Sequence, residues 1–154
     1  MIGAIRHEGY IPWDDDIDLV MLREDYDKFV QIAPKWLKED LVLQTVYTEK
    51  NYLRGHAQIR NSKTCGCNEE DKKAGYNCGI FIDIFPLDGM PKTEKERKNW
   101  AKKIQFYWTV LYTWYRFDYY ENATVFGKLL HGIGMLLHVP MVKAYKGYEK
   151  LCTR

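Results

Sequence analysis

Two aspartates separated by one residue, Asp16 and Asp18, carry the strongest chemical signal in the sequence. Side chains at positions i and i+2 of a β-strand lie on one face, so these carboxylates would point the same way, with Cα atoms roughly 6.5–7 Å apart. Carboxylate oxygens at this spacing suit a hard divalent cation such as Mg²⁺ or Mn²⁺. We therefore predict that Asp16 and Asp18 bind a metal ion, with Asp14 as a further candidate ligand.

The residues around this acidic run favour a bound metal. Residues 13–21 contain no Lys or Arg, so a bound cation would relieve the mutual repulsion of the carboxylates. A solvated acidic turn at a helix N-terminus is the main structural alternative. A calcium EF-hand loop counted from Asp14 would need Gly at position 19 and Glu at position 25, where this chain has Leu19 and Asp25.

Asp83 is the candidate for a third carboxylate. It stands between Ile82 and Ile84 in an apolar run, and an unpaired buried aspartate there would be costly. If its strand pairs beside the strand at 17–21, the carboxylates form one cluster around a metal. A hydrogen bond to the nearby backbone or to an arginine is the alternative partner.

The elements that must position these residues are predicted from hydrophobic periodicity and from turn residues. Alternating or apolar runs predict strands at 17–21, 41–47, 56–60 and 79–85, the last closed by Pro86 and Gly89. Helical spacing predicts helices at 23–33, 93–115, 123–138 and 142–152. Pro34 should end or kink the first helix, residues 63–78 should form a loop, and the capping-box spacing of Thr93 and Glu96 should start the long helix.

This order of elements predicts an α+β fold, with a small mixed sheet and flanking helices followed by a helical C-terminal segment. The chain has 154 residues and a net charge of +2, which gives no argument for nucleic acid as a partner. The start of the chain does not resemble a secretory signal peptide, because its apolar run is interrupted by Arg6, His7 and Glu8. We therefore expect the protein to reside in a reducing compartment. Of the four cysteines, Cys65, Cys67 and Cys78 lie near one another in the sequence but lack Cys-x-x-Cys spacing, so a structural zinc site, with His56 as fourth ligand, is not expected.

Three segments of the sequence resemble one known family. Residues 3–18 (GAIRHEGYIPWDDDID), 23–29 (REDYDKF) and 81–88 (FIDIFPLD) are similar to the signature blocks of the LicD family. This family comprises phosphorylcholine transferases related to the fukutin-type ribitol-phosphate transferases. The resemblance covers residues 1–90 and is weak beyond them.

The resemblance implies a nucleotidyltransferase fold with Asp16 and Asp18 as the metal pair, Asp83 as the third carboxylate, and magnesium or manganese as the cofactor. It implies CDP-choline or another CDP-linked donor, and a hydroxyl of a cell-surface glycan such as lipopolysaccharide or teichoic acid as acceptor. Asp83 could also take the proton of that hydroxyl. The family's phosphate-binding turn and leading helix should precede Gly3, so we expect an incomplete catalytic core at 1–90 and a helical appendage at 91–154.

Four residues are candidates for contacts with the donor's phosphates: Gly3, Arg6, His7 and Arg60. Arg6 and His7 follow a glycine-containing turn, and an arginine presents a planar set of donors to phosphate. Arg60 would lie on a strand edge before a loop. A salt bridge from Arg6 to the acidic run and a structural hydrogen bond from His7 are the corresponding alternatives.

Aromatic residues concentrate after residue 100. The favoured interpretation is that they cover the catalytic unit or pack against a further C-terminal part. An interfacial helix lying on a bilayer, which would suit a lipid-linked glycan, is the alternative. We expect a cytoplasmic enzyme, with peripheral contact to the inner membrane face left open. Two other functions also stay open: an Asp-x-Asp glycosyltransferase, and a non-catalytic remnant of the family.

Overall fold

The structure, a computed structural model, describes residues 5, 6, 8, 9, 16–66, 69–115, 124–137 and 140–153. Its strands are β1 (Asp18–Leu22), β2 (Leu41–Gln44), β3 (Ala57–Asn61) and β4 (Ile80–Leu87). Its helices are α1 (Arg23–Trp36), α2 (Glu69–Ala74), α3 (Glu94–Tyr115), α4 (Val125–Leu137) and α5 (Met141–Cys152). The predicted α+β class, with helices last, is confirmed.

The four strands form one mixed sheet in the order β1-β4-β3-β2. β1 and β4 pair in parallel, whereas β3 is antiparallel to both of its neighbours. β4 runs through Pro86 to Leu87, two residues past its predicted end at Phe85. Pro86 is tolerated because the pairing of β4 with β3 ends at Ile84, so at Pro86 the strand is paired on one side only, with β1.

One face of the sheet is apolar and is covered by α1. Tyr26 and Ala33 of this helix form a buried cluster with Leu43, Ala57 and Ile84, one from each of three strands. α1 continues through Pro34 to Trp36, so Pro34 does not end the helix at residue 33, while a kink at Pro34 stays a prediction. Pro34 lies in the last turn, where only the hydrogen bond of its own missing N–H is lost.

The opposite face of the sheet, called here the polar face, carries buried polar side chains on β2 and β3 and exposed side chains on β1. Gln44, Gln58 and Arg60 lie on it, and each is fully buried. The short helix α2 falls within the segment predicted as a loop, so that prediction was wrong for residues 69–74. The polar sequence of α2 did not indicate a buried residue, because the burial of Asp71 depends on partners elsewhere in the chain, among them Arg54 and Arg60.

The predicted capping box starts α3. Thr93 Oγ1 accepts a hydrogen bond from the Glu96 backbone N–H, while Glu96 Oε2 accepts one from the Thr93 N–H. Leu111 of α3 and Tyr145 of α5 then pack with Val46 and Leu53, which belong to the segment between β2 and β3. Aromatic side chains of the C-terminal half therefore cover the sheet-bearing part of the chain, as the favoured interpretation predicted.

Helix α4 differs from α3 and α5 in what it exposes. Val125, Phe126, Leu129 and Leu136 are each more than half exposed. Within the ranges that the structure describes, no helix combines the length and the apolar character needed to cross a membrane. The interfacial interpretation of the region after residue 100 stays a prediction.

Candidate active site

Asp18 and Asp83 face each other across the parallel pair of strands β1 and β4. They are register partners in the ladder, and the Asp83 backbone N–H donates to the Ile17 carbonyl oxygen at 3.0 Å. Register partners place their side chains on the same face of a sheet. Leu19 and Met21 pack into the apolar core, so Asp18 and Asp83 both lie on the polar face.

The carboxylate of Asp83 is held by two side chains of the neighbouring strand region. His56 Nε2 lies 2.9 Å from Asp83 Oδ1, and Gln58 Nε2 donates to the same oxygen at 2.7 Å. The His56 ring also stacks on Phe85, with ring centroids 4.3 Å apart. Both hydrogen bonds end on Oδ1, so within the described residues Oδ2 is left for another ligand.

These contacts control the charge of Asp83. Burial by itself would raise the pKa of this carboxyl, but the hydrogen bonds from His56 and Gln58 and the positive charge of Arg54 outweigh burial, and the pKa lies below its usual value. Asp83 is therefore an anion at neutral pH. An ionised carboxylate with one unengaged oxygen, beside a second carboxylate, is a donor set that fits a magnesium or manganese ion.

The other predicted metal ligand in the described residues is Asp16, which lies exposed just before β1. Asp14 lies outside the described residues. Among the residues that the structure describes, no three or more His, Cys, Asp and Glu side chains form a group that could hold a metal ion. The metal site at Asp16, Asp18 and Asp83 thus stays a prediction. The pairing of β1 with β4 that this site requires is present.

The candidate zinc ligands are described in part. Cys65 and Cys78 lie on either side of α2 and are not joined in a disulfide, and Cys67 lies outside the described residues. His56, the candidate fourth zinc ligand, is directed at Asp83 instead.

The structure describes two of the four residues that were predicted to contact phosphate. Gly3 and His7 lie outside the described residues, and Arg6 is exposed. Arg60 was predicted on a strand edge; this placement was wrong, because β3 lies between β4 and β2 in the interior of the sheet. Its role as a phosphate ligand stays a prediction.

The guanidinium of Arg60 is surrounded by protein groups. It donates to Gln44 Oε1 at 2.6 Å, to Gln58 Oε1 at 2.8 Å and to the Gly79 carbonyl at 3.1 Å. It also lies 3.5 Å from Asp71 Oδ2. These contacts make Arg60 a structural bridge between β3 and the segment containing α2.

A cavity of about 640 Å³ opens beside His56, between α1, the loop at 45–48 and α5. We call it the α1–α5 cavity. Its size falls in the range of small-molecule pockets. Its charged lining residues, apart from His56, are Asp27, Arg54, Lys146, Glu149 and Lys150.

Sequence reasoning missed His56 and Gln58 as partners of Asp83, and it missed Arg54 altogether. A signal for the first two was present, because His56, Gln58 and Arg60 alternate with Ala57 and Ile59 and so share a strand face. No local pattern marks Arg54, which precedes β3 and reaches Asp71 at 3.2 Å.

Comparison with known proteins relates this arrangement to one family. The family model described as LicD/FKTN/FKRP, nucleotidyltransferase domain, matches residues 1–118. The match therefore continues past residue 90 into α3, while the division of the chain into two parts stays a prediction. No solved structure gives a significant match.

Individual relatives agree with the family model. The lipopolysaccharide cholinephosphotransferase LicD of Haemophilus influenzae is 38% identical over 96 residues, which cover 62% of this chain and 35% of that protein. Uncharacterised proteins of Rickettsia typhi and Rickettsia prowazekii are 47% and 44% identical over 36 residues, or 23% of this chain and 12% and 14% of theirs. The matched stretch thus spans about a third of the Haemophilus protein. The family model matches well over half of the length of this chain. The chain therefore belongs to the LicD/FKTN/FKRP nucleotidyltransferase-domain family.

Proposed function

We propose that this chain carries the metal-binding part of a transferase that moves phosphocholine, or a related phosphorylated group, from a CDP-linked donor to a glycan hydroxyl. One observation carries the proposal: Asp18 and Asp83 are register partners on a polar sheet face. The name of the Haemophilus relative supports lipopolysaccharide as the acceptor class. The cytoplasmic location and a lipid-linked form of the acceptor belong to the same proposal.

Asp16, Asp18 and Asp83 would hold a magnesium or manganese ion. Such an ion, when bound, neutralises charge on the donor phosphates and on the departing nucleotide. The chain's own contribution is to place ionised carboxylates where that charge develops. His56 and Gln58 fix the orientation of Asp83, and their hydrogen bonds lower the pKa of its carboxyl.

The environment of Asp83 favours one of two roles, metal binding or removal of a proton. A carboxylate with a lowered pKa is a weaker proton acceptor and a better anionic ligand. We therefore assign Asp83 to metal binding and positioning, rather than to removal of the acceptor's hydroxyl proton. Arg6 stays the proposed phosphate contact within the described residues, since the Arg60 guanidinium is engaged by protein groups.

Release of CMP from CDP-choline in the presence of Mg²⁺ tests the proposal directly. We expect the native chain to release CMP, and Asp18→Asn and Asp83→Asn each to lose at least about 100-fold, since even indirect partners of a metal ligand cost 10–100-fold. Asp25→Asn is the matched control, because this carboxylate is 66% exposed and lies on α1 away from the sheet's polar face.

Two outcomes would contradict the proposal. Release of UDP from a UDP-sugar would instead support the Asp-x-Asp glycosyltransferase. Binding of Mg²⁺ and cytidine nucleotides without turnover would support a non-catalytic member of the family.

A further inference from the structure

We propose that the α1–α5 cavity is a binding site for a phosphate-bearing ligand, with Arg54, Lys146 and Lys150 as its cationic contacts. This inference rests on the proposed function only for the source of the phosphate. The binding itself follows from the charges and contacts of the cavity.

The carboxylates of the cavity share one cation that lies outside its lining. Asp27 Oδ1 and Glu149 Oε1 each lie 3.4 Å from Arg23 Nη1, and the same guanidinium also binds Asp88. Glu149 Oε2 also accepts a hydrogen bond from the Tyr47 hydroxyl. These two carboxylates are thus held by neighbours and compensated in part.

The cations of the cavity are less well compensated. In the part of the chain that the structure describes, Lys146 and Lys150 form no ion pair. The Lys146 ammonium lies 6.0 Å from the centre of the Tyr47 ring, which is a weak interaction for a charge. Two uncompensated ammonium groups on one face of α5 therefore favour an anion in the cavity.

Arg54 supplies an independent observation. Its Nη2 pairs with Asp71, but its Nε is buried and has no hydrogen-bond partner among the described residues. The protein therefore satisfies this guanidinium incompletely. The rest of the Arg54 side chain is 25% exposed and lines the cavity, where a ligand can reach it. A phosphate oxygen is a strong acceptor for such a guanidinium.

The cavity also lies next to the proposed reaction centre. His56 lines it and contacts Asp83 directly. A ligand anchored at Arg54 would thus extend toward the carboxylate pair. Both substrates of the proposed reaction could present a phosphate there: the donor through its diphosphate, and the acceptor if its glycan is phosphorylated.

Calorimetry on the full chain in EDTA tests this inference with inorganic pyrophosphate, CMP and glucose 6-phosphate as probes. We expect pyrophosphate to bind, and the double substitution Lys146→Gln, Lys150→Gln to weaken binding roughly tenfold or more, because each removes a charged partner. Lys143→Gln, also exposed on α5 but outside the cavity, should change affinity less than about twofold. In ¹⁵N NMR spectra the Arg54 Nε–H resonance should shift on addition of pyrophosphate.

Comparison of the probes shows whether the bound phosphate comes from the donor or from the acceptor. Because the measurement is made without metal, it tests this inference independently of the proposed function. Tighter binding of CMP than of glucose 6-phosphate assigns the site to the donor, and the reverse order assigns it to the acceptor. Asp18→Asn should bind pyrophosphate like the native chain even if it has lost turnover. Absence of pyrophosphate binding, binding insensitive to the two lysines, or binding of choline in place of all three anions would overturn the inference.

Discussion

His56 Nε2 and Asp83 Oδ1 lie 2.9 Å apart although 27 positions separate them in the sequence. The contact joins the residue just before β3 to the middle of β4, and Gln58 adds a second hydrogen bond to the same oxygen. Partners of this kind orient a metal-binding carboxylate and are nearly as important as the ligand itself. The relationship therefore yields a test of the metal site that leaves every carboxylate in place.

His56→Ala should weaken Mn²⁺ binding by about 10–100-fold, because Asp83 loses a hydrogen bond that fixes its orientation. Titration with Mn²⁺ followed by electron paramagnetic resonance measures the affinity. His131→Ala, on α4, is the matched control and should bind Mn²⁺ normally. Unchanged affinity in His56→Ala would argue that Asp83 does not bind the metal.

The lowered pKa of Asp83 makes a second prediction, on stability against pH in the metal-free chain. Its folded pKa lies below the unfolded value, so the ionised carboxylate stabilises the fold fully above the unfolded pKa of about 4. This contribution is lost as pH falls through the folded pKa. In urea denaturation with EDTA, Asp83→Asn should therefore lose less stability than the native chain as the pH is lowered below about 4. Parallel declines in the two proteins would contradict the assignment.

Arg23 connects three parts of the fold and gives a third prediction. Its Nε and Nη2 donate to the two oxygens of Asp88 at 2.6 and 2.7 Å, and its Nη1 reaches Glu149 on α5. Arg23→Gln would leave Asp88 without its cation in a site where that side chain is only 17% exposed. We expect a loss of about 2 kcal/mol in the free energy of unfolding.

An exposed ion pair on the same helix is the control for Arg23. Lys28 and Asp25 are 3.9 Å apart and are 73% and 66% exposed, so Lys28→Gln should cost less than about 0.5 kcal/mol in urea denaturation. Equal losses in the two variants would mean that the Arg23 contacts add nothing beyond a surface pair.

The sequence was sufficient to predict most of the sheet and the long helix. Alternation at 79–85 and the spacing of Thr93 and Glu96 are local features, and both had the expected structural result. The strand pairing on which the carboxylate cluster was made conditional is present in the register of β1 and β4. In each case the information lies within a short segment or in the chemistry of one buried residue.

What could not be predicted depends on contacts between distant segments. Asp71 looks like an ordinary solvated residue in a polar segment, and its burial depends on Arg54 and Arg60. Its third partner is Tyr76, whose hydroxyl donates to Asp71 at 2.6 Å. Burial and this hydrogen bond raise the pKa of Tyr76 to about 12, which keeps the donor protonated. No single-segment pattern encodes such a network.

Arg60 gives the last prediction, because two roles for it predict different measurements. If its guanidinium is structural, Arg60→Met should lower the free energy of unfolding by about 3 kcal/mol, since Gln44, Gln58 and Asp71 lose a buried partner. A fixed concentration of CMP should then raise the free energy of unfolding by the same amount in Arg60→Met as in the native chain. This increase depends only on the affinity for CMP. Lys63→Met, whose side chain is 72% exposed, should change neither quantity by more than about 0.5 kcal/mol. If instead Arg60 binds the donor phosphate, the stabilisation by CMP would shrink in Arg60→Met alone, and the assignment of Arg60 as a structural bridge would fail.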